Sequence, residues 1–218
     1  MGEWVSALTQ HLEKKLGDRF EKNRPVSRED LNALKNVIIT VPASEAAKLV
    51  GPGDLAERLQ AVKYAPLLTA TVFVAKKDLA RQPRGLGVLM PRNEGRKCLG
   101  ILYNSSAFLN RVTDDSTTSL TVMLGGGSDG DILKKPDSEI RDIIKNELFE
   151  IFGLRNDPLE VAIHRWERAV PTYNRHLLDT WTVAEKSWCA IAGHVLFGNY
   201  TGQVSLRGML ELASQLGK

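Results

Sequence analysis

The sequence lacks the patterns that define several large classes of protein. Its 218 residues contain only two cysteines, Cys98 and Cys189, which are far apart and form no CxxC pair. We therefore expect free thiols in a reducing compartment, not a disulfide framework. No apolar run reaches the roughly 18 residues needed to cross a bilayer, and the acidic, amphipathic first residues do not match a signal peptide. We expect a cytoplasmic protein and leave attachment to a membrane surface open.

Charge and histidine placement argue against two further classes. The net charge is +3 and the charged residues, 25% of the chain, are interspersed, which does not indicate a nucleic-acid partner. The four histidines have no metal-ligand spacing, so we expect no metal site. There is also no GxSxG motif and no Cys–His pattern for nucleophilic catalysis. An enzymatic role would therefore depend on a cofactor.

The remaining pattern is that of a globular protein with helices at both ends. Apolar residues recur every four positions over residues 3–16, which predicts a helix. A short strand is expected to end at Val26, and "NVIITVPA" (36–43) reads as a buried strand. Ser44 is expected to cap the next helix, and residues 54–62 predict another.

After Pro66 the sequence pattern changes to strand-like runs separated by short turns, and this pattern favours antiparallel pairing of the strands. A helix is predicted over 136–154, and strands are predicted over 159–171 and 188–194. The expected fold class is α+β: an antiparallel or mixed sheet flanked by helices, with a smaller element of α/β character.

Two glycine-rich stretches are candidates for binding an anionic group. "GGGSDG" (125–130) matches GxGxxG, but no helix can follow before about Pro136, so a plain turn is the better interpretation. "FGNYTGQVSL" (197–206) leads into the final helix, where the amides of Val204 and Ser205 would favour negative charge. A reduced flavin is one such ligand. A plain strand–turn–helix stays open as the alternative.

Segments along nearly the whole chain resemble the flavin-dependent amine oxidases, and within them the protoporphyrinogen oxidases. They are, in order, "MGEWVSALTQHL", "VIITVPASEAAKLV", the runs from "YAPLLTATVFV" to "LTVMLGGG", "HRWERAVPTYNRH" and "IAGHVLFGNYTGQVSLRGMLELA". The resemblance implies FAD-dependent oxidation of a substrate. In the protoporphyrinogen oxidases that substrate is a tetrapyrrole of haem synthesis. It implies a substrate-binding-like domain (1–35 and 63–187) and partial flavin-domain elements (36–62 and 188–218).

The resemblance also assigns candidate site residues. Val26 would lie against the adenine end of FAD, and Trp166 would pack near the isoalloxazine. An equally good interpretation of Trp166 is an aromatic residue of a strand that is half-buried and binds no ligand. The turn at the flavin ring would comprise Gly202, Gln203, Val204 and Ser205. Arg84, Arg92 and Arg96 are candidates for binding substrate carboxylates, by their charge and their location near strand ends.

The chain departs from the family in lacking its opening strand, GxGxxG turn and helix, which hold the FAD pyrophosphate. We therefore expect a truncated chain that binds FAD weakly or not at all and is inactive alone. The expected ligand is a tetrapyrrole or another apolar small molecule. The alternative is a non-catalytic ligand- or protein-binding module. An amine or carotenoid-type oxidase is a third reading, for which Tyr173 alone would not form an aromatic cage.

Overall fold

The computed structural model describes residues 2–108 and 110–216. Met1, Leu109, Gly217 and Lys218, all of which fall in the predicted domain ranges, lie outside the described residues. The helices are α1 (Gly2–Leu16), α2 (Arg28–Asn32), α3 (Ala43–Val50), α4 (Asp54–Gln60), α5 (Asn104–Ala107), α6 (Asp137–Phe152), α7 (Arg175–Lys186) and α8 (Leu206–Ala213). The strands are β1 (Val37–Ile39), β2 (Tyr64–Ala75), β3 (Gly87–Leu89), β4 (Cys98–Leu102), β5 (Thr117–Gly125), β6 (Glu160–Pro171) and β7 (His194–Leu196). Within these ranges no helix is long and apolar enough to span a membrane.

Most of the strands form one antiparallel sheet in the order β3-β4-β5-β2-β6. The long strand β2 lies inside the sheet, where Thr69 is opposite Met123 on one side and His164 on the other. Its alternating apolar and hydroxyl-bearing residues send successive side chains to opposite faces. The predicted fold class is confirmed by this sheet and the helices around it.

The helix α6 covers one face of this sheet. Ile140, Ile144 and Leu148 are fully buried there, in one core with the alternate residues Leu68 and Val72 of β2. The helix ends at Phe152 because Gly153 takes the left-handed conformation, with φ +66°. The helix predicted over 136–154 is therefore present within one or two residues at each end.

The other strands, β1 and β7, form a parallel pair that places Val37 opposite His194 and Ile39 opposite Leu196. Val37, Ile39 and Leu196 are buried in a second core, to which α2, α3, α4 and α7 also contribute. The two cores are distinct sets of residues. The domain boundaries given above stay a prediction.

Two predicted strands are wrong. Val26 lies in coil and is 51% exposed, because the next residue starts the capping box of α2, with Ser27 and Asp30 bonded to each other's backbone. Residues 188–190 form a 3-10 helix and the strand begins only at His194. Gly193, at φ +84°, approaches the backbone of Lys35 so closely that an added Cβ would lie 2.7 Å from its carbonyl oxygen. Parallel pairing starts after this contact.

Two helix predictions also need correction. Pro42 rather than Ser44 precedes the first turn of α3, and Ser44 lies inside the helix, where its buried hydroxyl accepts a hydrogen bond from Arg168 at 2.8 Å. The helix α7 was not expected at all. It begins after Asn174, whose side chain accepts a hydrogen bond from the Leu177 amide at 3.0 Å.

Candidate functional site

The face of the antiparallel sheet that points away from α6 is a broad surface of apolar and hydroxyl-bearing side chains. Residues of β2 on this face are half-buried, whereas the alternate residues on the α6 face are fully buried. We call this surface the open face. It is formed by Leu67, Thr69 and Thr71 of β2, Thr121 and Met123 of β5, Leu102 of β4, and His164 and Trp166 of β6.

Trp166 lies at the edge of the open face. Its neighbour Arg165 points to the opposite side, where it donates hydrogen bonds to the Leu133 and Lys135 carbonyls at 2.9 and 2.8 Å. The indole Nε1 of Trp166 donates to the Thr69 hydroxyl at 3.2 Å. The ring is nevertheless 53% exposed. It is therefore held in place while much of its surface stays accessible to a ligand.

The other end of the open face is partly covered by α5. The Asn104 side chain lies 3.2 Å from the Ser119 hydroxyl and 2.9 Å from the Thr121 hydroxyl. The Ser119 amide also donates to the Ser105 hydroxyl at 2.8 Å. These contacts satisfy the hydroxyl groups at this end. Leu102 stays 45% exposed beside this end, so the accessible part of the open face extends from Leu102 to Trp166.

The segment between β7 and α8, residues 198–205, forms a turn that we call the closing turn. An added Cβ at Gly198 would lie 2.8 Å from the ring of Tyr200, which is 2% exposed. A glycine is therefore required for this packing. Gly202 adopts φ +105° and an added Cβ there would meet nothing within 4 Å, so the backbone at this position is open to a ligand.

The other residues predicted in this turn have separate roles in the structure. Val204 is 53% exposed. The Ser205 hydroxyl accepts a hydrogen bond from the Gly208 amide at 3.1 Å and so caps α8 itself. The Gln203 side chain folds back onto the same turn of the helix, where its Oε1 would lie 2.3 Å from an added Cβ at Gly208. The side chain of Gln203 therefore packs on α8.

Tyr173 connects the sheet to the closing turn. It follows the end of β6, and its hydroxyl donates a hydrogen bond to the carbonyl of Asn199. Burial raises the pKa of Tyr173, and the nearby backbone of Gly202 opposes that shift. From the sequence, Tyr173 is a candidate only for an aromatic cage. The signal for its observed role is its place two residues after the predicted strand that carries Trp166.

A pocket of about 560 Å³ borders the closing turn from the side of α7. Tyr173, Arg175, Trp181, Tyr200 and Gly202 are among the residues that line it. None of its lining residues belongs to the open face. One wall of this pocket is formed by α7, a helix that the sequence did not predict.

Comparison with known proteins gives the family. The sequence matches the family described as flavin containing amine oxidoreductase over residues 5–211, almost the whole chain. The chain belongs to this family. Among curated proteins it is similar to the chloroplastic protoporphyrinogen oxidases of Oryza sativa subsp. japonica, at 30% identity over 199 residues, and Nicotiana tabacum, at 27% over 198 residues. Each match covers 84% of this chain, but only 37% and 36% of the respective relative.

A solved structure supports the same fold. A crystal structure from Exiguobacterium sp. 255-15, provisionally assigned to protoporphyrinogen oxidase, superimposes with a TM-score of 0.64 at 19% identity. It covers 84% of this chain and 40% of that protein. The chain therefore spans between a third and two fifths of the length of the relatives it matches. The resemblance to this family is confirmed.

The described residues of the chain fit FAD only in part. The open backbone at Gly202 could approach the edge of a flavin ring. The literal GxGxxG stretch is no phosphate cradle, because a Cβ at Gly125 would already lie 3.1 Å from Leu133 and 3.2 Å from the Pro66 carbonyl oxygen. A 3-10 helix, Gly130–Lys134, follows it instead of an α-helix. Among residues 2–108 and 110–216 no other stretch has the GxGxxG spacing between a strand and a helix.

The predicted site residues are not joined into one cluster by hydrogen bonds. Among the described residues, none links Val26, Trp166 and the closing turn to one another. Arg96, one of the candidate partners for substrate carboxylates, forms an ion pair with Glu150 of α6 at 3.5 Å. It therefore lies on the side of the sheet away from the open face. The assignment of Val26, Trp166 and residues 202–205 to FAD stays a prediction.

Proposed function

We propose that this chain supplies the substrate-binding sheet and the flavin-ring turn of an FAD-dependent oxidoreductase of the protoporphyrinogen oxidase type. The reaction would be the oxidation of protoporphyrinogen IX to protoporphyrin IX in porphyrin and haem biosynthesis. The names of the rice and tobacco relatives support this substrate class. The observation that carries the proposal is the open face, a wide surface of apolar and hydroxyl-bearing side chains that includes an exposed tryptophan.

The open face suits a large tetrapyrrole better than a small amine. Leu102 is 45% exposed and Trp166 is 53% exposed, so both can lose apolar surface to a ligand. The hydroxyl groups of Thr69 and Thr71 lie between these two side chains and can form hydrogen bonds with water or with a polar substituent of the ligand. Of the eight residues that form the open face, none is a lysine or an arginine. Substrate carboxylates would therefore project from its rim into water.

FAD, when bound, would accept the electrons removed from the substrate. The residues of this chain would bind and orient the reactants. Trp166 would pack near the flavin ring, Val26 would lie at the adenine end, and the turn at the ring edge would comprise Gly202, Gln203, Val204 and Ser205. Tyr173 would hold that turn against the end of β6. Without a pyrophosphate cradle among the described residues, these 218 residues would bind FAD weakly when isolated. Cytoplasmic location and association with a membrane surface stay predictions.

Titration of the purified chain with protoporphyrin IX tests the substrate assignment. We expect a shift of the porphyrin absorbance and quenching of tryptophan fluorescence, with quenching reduced in Trp166→Phe. Leu102→Asp places a carboxylate on the open face and should weaken binding about tenfold, equivalent to 1.4 kcal/mol. Phe149→Asp, at a 59% exposed position of α6, is the matched control and should bind normally. Binding unaffected by Leu102→Asp, or no binding, would contradict the proposal and favour a module with another ligand.

A further inference from the structure

His164 is the one imidazole among the eight residues of the open face. It lies in β6, opposite Thr69 of β2 and two residues before Trp166, and it is exposed. Within the described part of the chain, no hydrogen bond occupies its ring. Met123, on the other side of Thr69, also has a potential metal-binding atom, but its thioether is a softer ligand and the residue is half-buried. The open-face side chain that can most readily bind a metal is therefore His164.

The other three histidines are in different surroundings. Nε2 of His176 lies 3.0 Å from a backbone carbonyl oxygen of α4. The ring of His194 packs on that of Trp188, with 4.4 Å between the ring centroids. His11 is exposed, but it lies on α1 and not on the sheet. Among the four histidines, only His164 combines an exposed imidazole with a broad sheet surface around it.

The geometry of the sheet suits an axial metal ligand at this position. Side chains of a strand stand roughly perpendicular to the sheet, so the imidazole of His164 can point at the centre of a flat ligand that lies parallel to the strands. The surface continues on one side of β6 through β2, β5 and β4. A macrocycle centred over His164 would cover Thr69 and Trp166, whose indole ring is 53% exposed and can lose apolar surface to it.

We propose that His164 is an axial ligand to the iron of an iron porphyrin bound on the open face. The neutral imidazole would donate a nitrogen lone pair to the iron and displace a water molecule or an anion, with no change in oxidation state. This inference rests on the proposed function, because it takes the open face to be a tetrapyrrole surface.

The proposed ligand has a place in the reaction sequence. Insertion of iron into the product of the proposed oxidation would give an iron porphyrin, so a metal-insertion reaction must supply it. Such a ligand would cover Thr69 and Trp166, which are part of the surface proposed for the metal-free tetrapyrrole. Bound iron porphyrin would therefore compete with the substrate, and the coordinate bond to His164 would favour the metallated form.

Absorbance titrations of the full 218-residue chain at pH 8, with hemin and separately with metal-free protoporphyrin IX, test the proposal. We expect hemin to bind with a red shift of its Soret band. His164→Ala and His164→Gln remove the nitrogen ligand and should abolish this shift and weaken hemin binding at least about tenfold. Binding of protoporphyrin IX, which has no metal, should change by less than about threefold in the same variants. His11→Ala, at an exposed position of α1, is the matched control and should bind hemin normally.

The two ligands separate this proposal from the substrate assignment. A His164-dependent Soret shift without binding of protoporphyrin IX would contradict the substrate assignment and leave the iron ligand in place. Binding of protoporphyrin IX with a hemin spectrum unaffected by either His164 variant would overturn the iron ligand alone. A folded wild-type chain that does not bind hemin, or a Soret shift lost in His11→Ala, would also overturn it. An equal loss of both ligands in the two His164 variants would show a structural role instead. Far-ultraviolet circular dichroism verifies that each variant is folded.

Discussion

Removal of one hydroxyl group, by Tyr173→Phe, tests whether Tyr173 holds the closing turn. The substitution deletes the hydrogen bond to the Asn199 carbonyl and leaves the aromatic ring in the pocket wall. A typical net contribution is about 0.5–1.5 kcal/mol, and Tyr173 is 48% exposed, so water can replace the partner in part. We therefore expect a loss of about 0.5–1 kcal/mol.

For a protein of this size, that loss corresponds to a fall in Tm of about 1–4 °C. If opening is local, exchange of the Thr201 amide, which bonds to the Gly198 carbonyl at 3.1 Å, should accelerate about two- to fivefold. Both can be measured by thermal unfolding and by hydrogen–deuterium exchange. Tyr103→Phe, in the other core, is the control and should leave exchange in the closing turn unchanged. Unaltered exchange of the Thr201 amide in Tyr173→Phe would show that the Tyr173 hydroxyl does not hold the closing turn.

Two further predictions concern the core beneath the open face. Leu148→Ala should destabilise the protein by about 2–5 kcal/mol in urea unfolding because Leu148 is fully buried. Phe149→Ala, at an exposed position of the same helix, is the control and should change the free energy of unfolding by less than about 0.5 kcal/mol. Equal effects of the two substitutions would contradict the packing of α6 on the sheet. Burial, together with the Glu147 carboxylate 3.0 Å away, raises the pKa of the Cys98 thiol to about 12. Because this pKa lies above the ordinary value for a thiol, Cys98 should stay neutral and unreactive towards a disulfide reagent at pH 8. Glu147→Gln removes the carboxylate and should accelerate the modification of Cys98. Rapid labelling of Cys98 in the native wild type would contradict a buried thiol beside Glu147.

The parts of the fold that local pattern determines were predictable from the sequence. The helix α6 repeats apolar residues on one stripe, and β2, β5 and β6 carry strand-like runs of sufficient length. These signals are intrinsic to each segment, since side-chain direction follows the helical or strand period. The antiparallel pairing, although not the order of the strands, followed from the short connections between most of the runs.

The failures came from contacts that no local pattern records. The small apolar residues of 188–192 look like a strand, but the close approach of Gly193 to Lys35 delays pairing until His194. The helix α7 contains Thr and Val residues with low helix propensity, and packing against α4 stabilises it. The pocket beside Gly202 requires this helix, so it could not be anticipated from the closing turn alone.

Equilibrium dialysis with detection of flavin fluorescence can compare FAD with riboflavin as ligands of the isolated chain. We propose that the chain contacts the flavin ring through the open backbone at Gly202 and that the described residues hold no cradle for the pyrophosphate. This proposal predicts weak binding of both ligands, with dissociation constants within about tenfold of each other. FAD bound more than about a hundredfold more tightly than riboflavin, and retained on dialysis, would reveal a pyrophosphate site and contradict it.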